Sequence, residues 1–371
     1  MLSSFPKKIQ IILFLVCAVV LIILPFLVGP ILGNAWVRTL DFALLYILLA
    51  LGLNIVVGFA GLLDLGYIAF YAVGAYTYAL LNSPQFGIFL PWWMVLPLGA
   101  ACAALFGILL GTPVLKLRGD YLAIVTLGFG EIVRIFINNL NAPVNITNGP
   151  QGINLIRPIE IAGISLGKTQ QLAGITFHSL YLYYYFFLIL VVLSVILCYR
   201  LQHSRIGRAW VALREDDIAA SAMGINIRNI KLLAFSMGAT FWGLSGGLFA
   251  SFQGFVSPES FGLLESIMVL AMVVLGGMGH LPGIILGAVL LTALPEVLRS
   301  VIGPLQMKTL GYMIIDPETA RMLLFGLALI LVMLLRPEGL WPSKRRKAEL
   351  RGEIGPPPTH ISPEKPSPRH D

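Results

Sequence analysis

Charged side chains are scarce in this sequence. Asp, Glu, Lys and Arg make up 12% of its 371 residues, about half of the roughly 25% share that is typical of soluble domains. Hydrophobic residues make up 57%, and few soluble globules of this length could bury so much apolar surface. The composition therefore excludes a soluble or disordered chain and indicates a membrane protein with several spans.

Cysteine and histidine are also scarce. Cys17, Cys102 and Cys198 lie inside apolar runs, without the spacing of a disulfide or a metal site, and the five histidines are scattered. No HExxH pattern occurs. We therefore expect no catalytic residue, no metal site and no cofactor bound by this chain.

Two short motifs resemble enzyme signatures, but each lacks a feature that the signature requires. The stretch from Gly163 to Thr169 is one residue shorter than a phosphate-binding P-loop. The stretch from Gly243 to Gly247 matches GxSxG but lies in the middle of an apolar helix, where no strand-to-helix turn can form. Its small residues instead predict a face for close helix packing. Neither motif supports nucleotide hydrolysis or acyl transfer.

Apolar runs predict an all-α protein with about ten transmembrane helices. A span needs about 20 mostly apolar residues. The predicted spans cover residues 11–32, 42–58, 65–81, 91–115, 121–137, 180–199, 231–255, 261–279, 281–298 and 320–335.

Basic residues predict the orientation. With both termini in the cytoplasm, most of the 25 Lys and Arg residues fall inside, as the positive-inside rule requires. The net charge of +7 then reflects contact with anionic lipid and needs no nucleic acid. Residues 1–343 form the predicted transmembrane domain, with an inner loop at 200–230 and an outer loop at 138–179. Residues 344–371 form a basic, proline-rich tail that we expect to be disordered.

Polar residues and glycines inside the spans are candidates for a transport path. Polar groups are costly in a bilayer, and broken helices are tolerated where they line a cavity or are buried in protein. Tight helix packing explains the glycines equally well. Glu131 and Arg134, three residues apart, can pair or gate the inner mouth, and Glu296 and Arg299 have the same spacing. The path candidates are Asn54, Gly58, Asp64, Gly66, Glu131, Arg134, Gly276 and Gly277.

The inner loop predicts a short, rigid helix that docks into another protein. Asp216 or Asp217 can cap its start, Ala219 and Ala220 favour helix, and Gly224 suits the left-handed position that ends it. An amphipathic helix lying on lipid is the alternative.

Several long motifs resemble the permease subunits of branched-chain amino acid ABC importers of the LivM type. The inner loop reads GRAWVALREDDIAASAMGI at 207–225 and continues as IKLLAFSMGATF at 230–241. Further similar stretches are 52–76, LRGDYLAIVTLGFGEIVR at 117–134, QGFVSPESF at 253–261, VLGGMG at 274–279 and RPEG at 336–339. The resemblance covers most of the chain except the outer loop and the tail.

This resemblance implies one subunit of a heteromeric importer in the bacterial inner membrane. A second permease (LivH type) completes the pathway, two ATPase subunits (LivG and LivF type) bind ATP and Mg²⁺, and a periplasmic binding protein delivers the substrate. The segment inserting into an ATPase would contain Gly207, Arg208, Arg214, Glu215, Asp216, Asp217, Ala219, Ala220 and Gly224.

Two other functions stay open from the sequence. Permeases for urea or short amides share much of the pattern. An autonomous secondary transporter or channel is less well supported, because no chain of acidic residues crosses the predicted spans.

Overall fold

The protein is a bundle of apolar helices. The computed structural model describes residues 7–114, 117, 119–161, 163–172 and 175–310, with the isolated positions 323, 326, 327, 330, 334, 340 and 341. Within these residues the helices are α1 Lys7–Leu32, α2 Asn34–Leu53, α3 Ile68–Leu81, α4 Trp92–Val114, α5 Asp120–Asn139, α6 Ser179–Gln202, α7 Arg205–Glu215, α8 Asp217–Ala222, α9 Ile227–Gln253, α10 Leu263–Gly276 and α11 Leu281–Leu310. A π-helix, Asn54–Phe59, continues α2.

Six of the described helices are long and apolar enough to cross a membrane, and three shorter apolar segments lie in α1, α3 and α10. These nine agree in position with the first nine predicted spans. The tenth predicted span, 320–335, falls almost wholly outside the described residues, as does the tail at 344–371. The described helices make this a multi-pass membrane protein, while the total of ten spans stays a prediction.

The second span begins earlier than the sequence predicts. The prediction started at residue 42, whereas α2 begins at Asn34. The charged residues Arg38 and Asp41 interrupt the apolar run at the start of this helix, so the span was predicted to begin only after them. Arg38 reaches the end of α9, where its guanidinium donates to Gln253 Oε1 at 2.8 Å, and Asp41 is fully buried.

Glycine contacts hold the centre of the bundle together. Lipid provides no hydrophobic drive between helices, so small residues that allow close approach stabilise their packing. Helix α9 packs between α3 and α4: Gly74 of α3 touches the backbone of Gly243, and a Cβ at Gly243 would lie 2.5 Å from the Cβ of Ala103. The predicted packing face at Gly243–Gly247 is therefore confirmed.

Aromatic side chains fill the space beside these glycines. Trp242 is fully buried and stacks on Phe70, with ring centroids 5.6 Å apart. Its indole Nε1 donates to the carbonyl oxygen of Leu49 at 3.1 Å. Its partner Gly52 leaves room for the ring, since a Cβ there would meet Nε1 at 2.6 Å. The indole thus ties α9 to α2.

The long loop between α5 and α6 carries two small hairpins. Strand β1 (Glu160–Ile161) pairs antiparallel with β2 (Ile164–Ser165), and β3 (Gln170–Leu172) pairs with β4 (Ile175–Phe177). Helices α7 and α8 lie on the opposite face of the bundle, which is called the α7–α8 face. The P-loop-like stretch 163–169 lies between β1 and β3 with no helix after it. A phosphate-binding loop is therefore excluded there.

The glycine packing makes a prediction for stability. A Cβ at Gly246 would press on the Tyr71 carbonyl oxygen and lie 2.7 Å from the Ala75 nitrogen, whereas one at Gly128 on α5 meets open space. We expect Gly246→Ala to destabilise the purified protein by about 1–3 kcal/mol through overpacking. Gly128→Ala, the matched control, should be neutral or slightly stabilising because alanine favours helix. Thermal unfolding in detergent measures both, and equal melting temperatures would contradict the packing.

Candidate functional site

The α7–α8 face carries two short helices joined at one aspartate. The Ser204 hydroxyl oxygen accepts from the Gly207 N–H at 3.2 Å and caps α7. Asp216 ends α7 and caps α8: its Oδ1 accepts from the N–H groups of Ile218 at 2.8 Å and Ala219 at 3.1 Å. The predicted short capped helix is therefore present, with Asp216 as its capping residue. The preceding α7, 11 residues long, was not predicted as a separate element.

Helix α8 ends as the sequence predicts. Gly224 adopts φ +83°, a left-handed conformation that glycine adopts readily. The N–H of Ile225 donates back to the Ala220 carbonyl at 3.1 Å. With six residues, α8 is far too short to be stable alone, so its order depends on these end contacts and on packing.

Packing divides the side chains of α8 into two sets. Ala220 is buried, whereas Ala219 faces outward. Ile218 is 70% exposed and Met223 is 83% exposed. Because large apolar side chains gain from burial, this outward surface is suited to contact with lipid or with another protein.

Helix α7 is anchored to the bundle at two points. Trp210 is fully buried, and its Nε1 donates to the Ile230 carbonyl of α9 at 2.9 Å. The guanidinium of Arg214 donates to the carbonyl oxygen of Gly58, in the π-helix, at 2.8 Å. The sequence named Arg214 and Gly58 as candidates for different roles, and the structure brings them together. No sequence pattern pointed to this contact.

An open cavity of about 530 Å³ lies beside this junction. The segment from Ala60 to Leu63 forms one wall and Leu213–Asp217 forms another. Lys231 also lines it, and its Nζ lies 4.0 Å from Asp217 Oδ2. The candidate residues Arg214, Glu215, Asp216 and Asp217 therefore share one concave surface, while Gly207 and Arg208 lie apart from it on α7.

The π-helix connects the α7–α8 junction to the turn between α10 and α11. A π-helix needs backbone bonds of unusual register and is often found at functional positions. Asn54 is fully buried, and its Oδ1 accepts from the Gly279 N–H at 2.9 Å. A Cβ at Gly58 would collide with that amide and lie 2.8 Å from the Gly279 nitrogen. Asn54 and Gly58 thus hold the turn against α2.

The Gly276–Gly279 stretch packs tightly. Gly276 touches the backbone of Gly283, and its carbonyl accepts from Trp341 N–H at 3.3 Å. Gly277 adopts φ +109°. Burial lowers the pKa of the adjacent His280 from its ordinary 6.5. These contacts favour the packing interpretation of Gly276 and Gly277 over direct lining of a path.

Asp64 and Gly66 form a second cluster, near the start of α3. Asp64 is fully buried, and its Oδ1 accepts from the Gly66 N–H at 2.8 Å. Gly66 touches the backbone of Thr126 on α5, and Thr126 Oγ1 accepts from the Leu65 N–H at 3.1 Å. This cluster fixes the irregular segment between the π-helix and α3.

The two predicted charge pairs behave differently. Glu131 and Arg134 form an ion pair at 2.8 Å, with about a third of each side chain exposed. They lie closer to the Asn139 end of α5 than to its Asp120 end. The pairing is therefore present, and a gating role for the pair stays a prediction. Among the described residues no ion pair joins Glu296 to Arg299, since a spacing of three permits a pair without requiring one.

Sequence reasoning missed Asp41. It is fully buried in α2, and neither carboxylate oxygen has a hydrogen-bond partner among the described residues. An acidic residue within an apolar helix could have drawn attention to Asp41. The predicted span began at residue 42 and therefore left Asp41 out. A buried acid without a partner is costly in a bilayer.

These features define a class of protein, a polytopic membrane protein with polar connections between broken helices. Comparison with known proteins identifies the family within this class. Residues 35–333 match the family described as branched-chain amino acid transport system / permease component. The chain belongs to this family.

Its relatives include both permeases of one transport system. The chain is 46% identical to the high-affinity branched-chain amino acid transport system permease protein LivM of Escherichia coli strain K12, over 91% of this chain and 77% of that protein. Identity to LivM of Salmonella typhimurium is 44%, over 94% and 78%. Identity to LivH of Escherichia coli is 26%, over 80% and 90%. No solved structure matches the chain.

The cap of α8 can be tested directly. Asp216→Ala removes the acceptor for two backbone N–H groups, which should cost about 0.5–2 kcal/mol of local stability. We expect faster hydrogen exchange at the amides of Ile218 and Ala219, measured by mass spectrometry of the purified protein. Asp216→Asn, which keeps a capping oxygen, is the matched control and should exchange close to the unaltered rate. Unchanged exchange in Asp216→Ala would contradict the cap.

Proposed function

We propose that this chain is the LivM-type permease subunit of an ATP-driven importer for branched-chain or related apolar amino acids. A LivH-type permease shares the pathway, two ATPase subunits of the LivG and LivF type bind ATP and Mg²⁺, and a periplasmic protein delivers the substrate. The chain lies in the bacterial inner membrane, with both termini and the α7–α8 face in the cytoplasm. The family, and the LivM and LivH relatives of one transport system, support this proposal.

The observation that carries the mechanism is the hydrogen bond from Arg214 to Gly58. Helix α8 presents Ile218 and Met223 outward, where they can dock on an ATPase subunit. Force applied to α8 passes through Asp216 into α7, and Arg214 passes it to the π-helix of α2. Asn54 then links the π-helix to the turn before α11. A protein docked on α8 is therefore connected mechanically to three membrane helices, α2, α10 and α11.

Alternating access follows from this connection. When the ATPase subunits close on ATP, displacement of α8 would tilt the helices that meet at Asn54 and Gly58. The cavity of about 530 Å³ beside Arg214 is the proposed cytoplasmic mouth of the pathway. Energy comes from the partner subunits, and this chain contributes the path and the mechanical link.

Reconstitution in liposomes tests this function. The complete importer with its binding protein should take up leucine only with ATP inside, and the isolated chain should take up none. Gly224→Pro should abolish uptake without preventing membrane insertion, because proline cannot adopt the φ of +83° found there. Gly224→Asn, the matched control, should keep most uptake because asparagine tolerates left-handed backbone.

Two results would contradict the proposal. Leucine accumulation by the isolated chain against a gradient would identify an autonomous transporter instead. Normal uptake by Gly224→Pro would remove the coupling role of α8.

A further inference from the structure

A second cavity, remote from the α7–α8 face, has an unusual polar lining. It has a volume of about 230 Å³ and lies between α2, α10 and α11. Its polar side chains are Thr39 and Tyr46 of α2 and Thr292 and Glu296 of α11. This volume is below the range of about 300–1,000 Å³ typical of drug-sized ligands, and it suits a small molecule or one end of a larger one.

The hydroxyl groups that line this cavity already donate hydrogen bonds within the protein. Thr39 Oγ1 donates to the Ala35 carbonyl at 3.0 Å, and Thr292 Oγ1 donates to the Ala288 carbonyl at 2.7 Å. The Tyr46 hydroxyl donates to Glu265 Oε2 at 3.0 Å. A hydroxyl carries one proton to donate and two lone pairs that accept. In this arrangement the two threonine hydroxyls present acceptor lone pairs to a ligand.

A carboxylate adds negative charge to this set of acceptors. Glu296 lines the cavity, and no ion pair to Glu296 is found among the described residues. The described residues that line the cavity include no lysine, arginine or histidine. A carboxylate within a membrane segment is costly without a positive partner. A ligand with a positively charged, hydrogen-bond-donating group would pair with Glu296 and also donate to the threonine oxygens.

The apolar side of the cavity suits an aliphatic or aromatic group. Phe42, Met268 and Leu291 line it, and an aromatic face also attracts cations. The Arg38 guanidinium lies 5.8 Å from the centre of the Phe42 ring, outside the lining, and Arg299 lies one turn beyond Glu296 on α11. These two cations border the site without occupying it.

We propose that this cavity is a binding site for a primary ammonium group attached to an apolar residue, namely the amino end of the transported amino acid. Thr39, Thr292 and Glu296 accept from the ammonium, while Phe42 and Met268 contact the aliphatic part. The identity of the ligand rests on the proposed function. The preference of the cavity for cations over anions rests on its lining alone.

Charged thiol reagents test that preference. Met268→Cys, in a chain with Cys17, Cys102 and Cys198 replaced by serine, places a thiol at the apolar wall and leaves every acceptor intact. We expect the trimethylammonium methanethiosulfonate reagent to react about tenfold faster than the sulfonate reagent, after correction for their rates with a free thiol. An uncharged methyl reagent reports access. All three are applied to the complete importer in membranes.

Neutralising Glu296 should remove most of the difference. Glu296→Gln is expected to lower the cation-to-anion ratio several-fold, whereas Arg299→Gln, the matched control one turn away, should not lower it. Leucinamide, which keeps the ammonium, should slow modification of Met268→Cys, and N-acetylleucine should not. A merely structural role for Glu296 would leave the ratio unchanged.

The ammonium site and the amino acid import can each be absent without the other, and different results distinguish the two cases. Equal rates for the two charged reagents, or no reaction with any of the three, would overturn the ammonium site even if ATP-dependent leucine uptake is normal. A cation preference without amino acid uptake by the complete importer would sustain the site and overturn the proposed function.

Discussion

The organisation of this protein depends on one hydrogen bond between a charged side chain and a broken membrane helix. Arg214, on a short helix outside the apolar bundle, donates to the carbonyl oxygen of Gly58 in the π-helix. A π-helix displaces backbone groups from their ordinary partners, and lipid supplies no water to satisfy them. The guanidinium therefore stabilises the break, and the break in turn positions α7 and α8. Removing either side would take away one support of the other, beside the Trp210 anchor of α7 and the Asn54 contact of the π-helix.

The same break organises the opposite side of α2. Asn54 begins the π-helix and holds the Gly279 N–H, so the turn between α10 and α11 follows the position of α2. Glycines make these approaches possible, since a side chain at Gly58 would collide with the Asn54 amide. Close backbone contact thus replaces the hydrophobic effect as the source of specificity in this bundle.

Much of the fold followed from simple patterns, and the contacts did not. Apolar runs located nine described helices, and the capping chemistry of Asp216 and Gly224 located α8. The start of α2 was misplaced, because Arg38 and Asp41 gain their positions from tertiary contacts that hydropathy does not register. The bond between Arg214 and Gly58 joins residues 156 positions apart, and no local rule encodes such a pair. The hairpins of the long loop escaped notice because their strands have two or three residues.

In the proposed importer, Arg214 transmits the action of the ATPase subunits to α2. The most direct measurement is the ratio of leucine transported to ATP hydrolysed by the complete importer carrying Arg214→Gln. A hydrogen bond to a charged group contributes about 1.5–3 kcal/mol, so uptake should fall about tenfold or more while ATP hydrolysis continues. Arg228→Gln, an exposed arginine in the first turn of α9, is the control and should leave the ratio unchanged. Unaltered transport per ATP in Arg214→Gln would contradict the account.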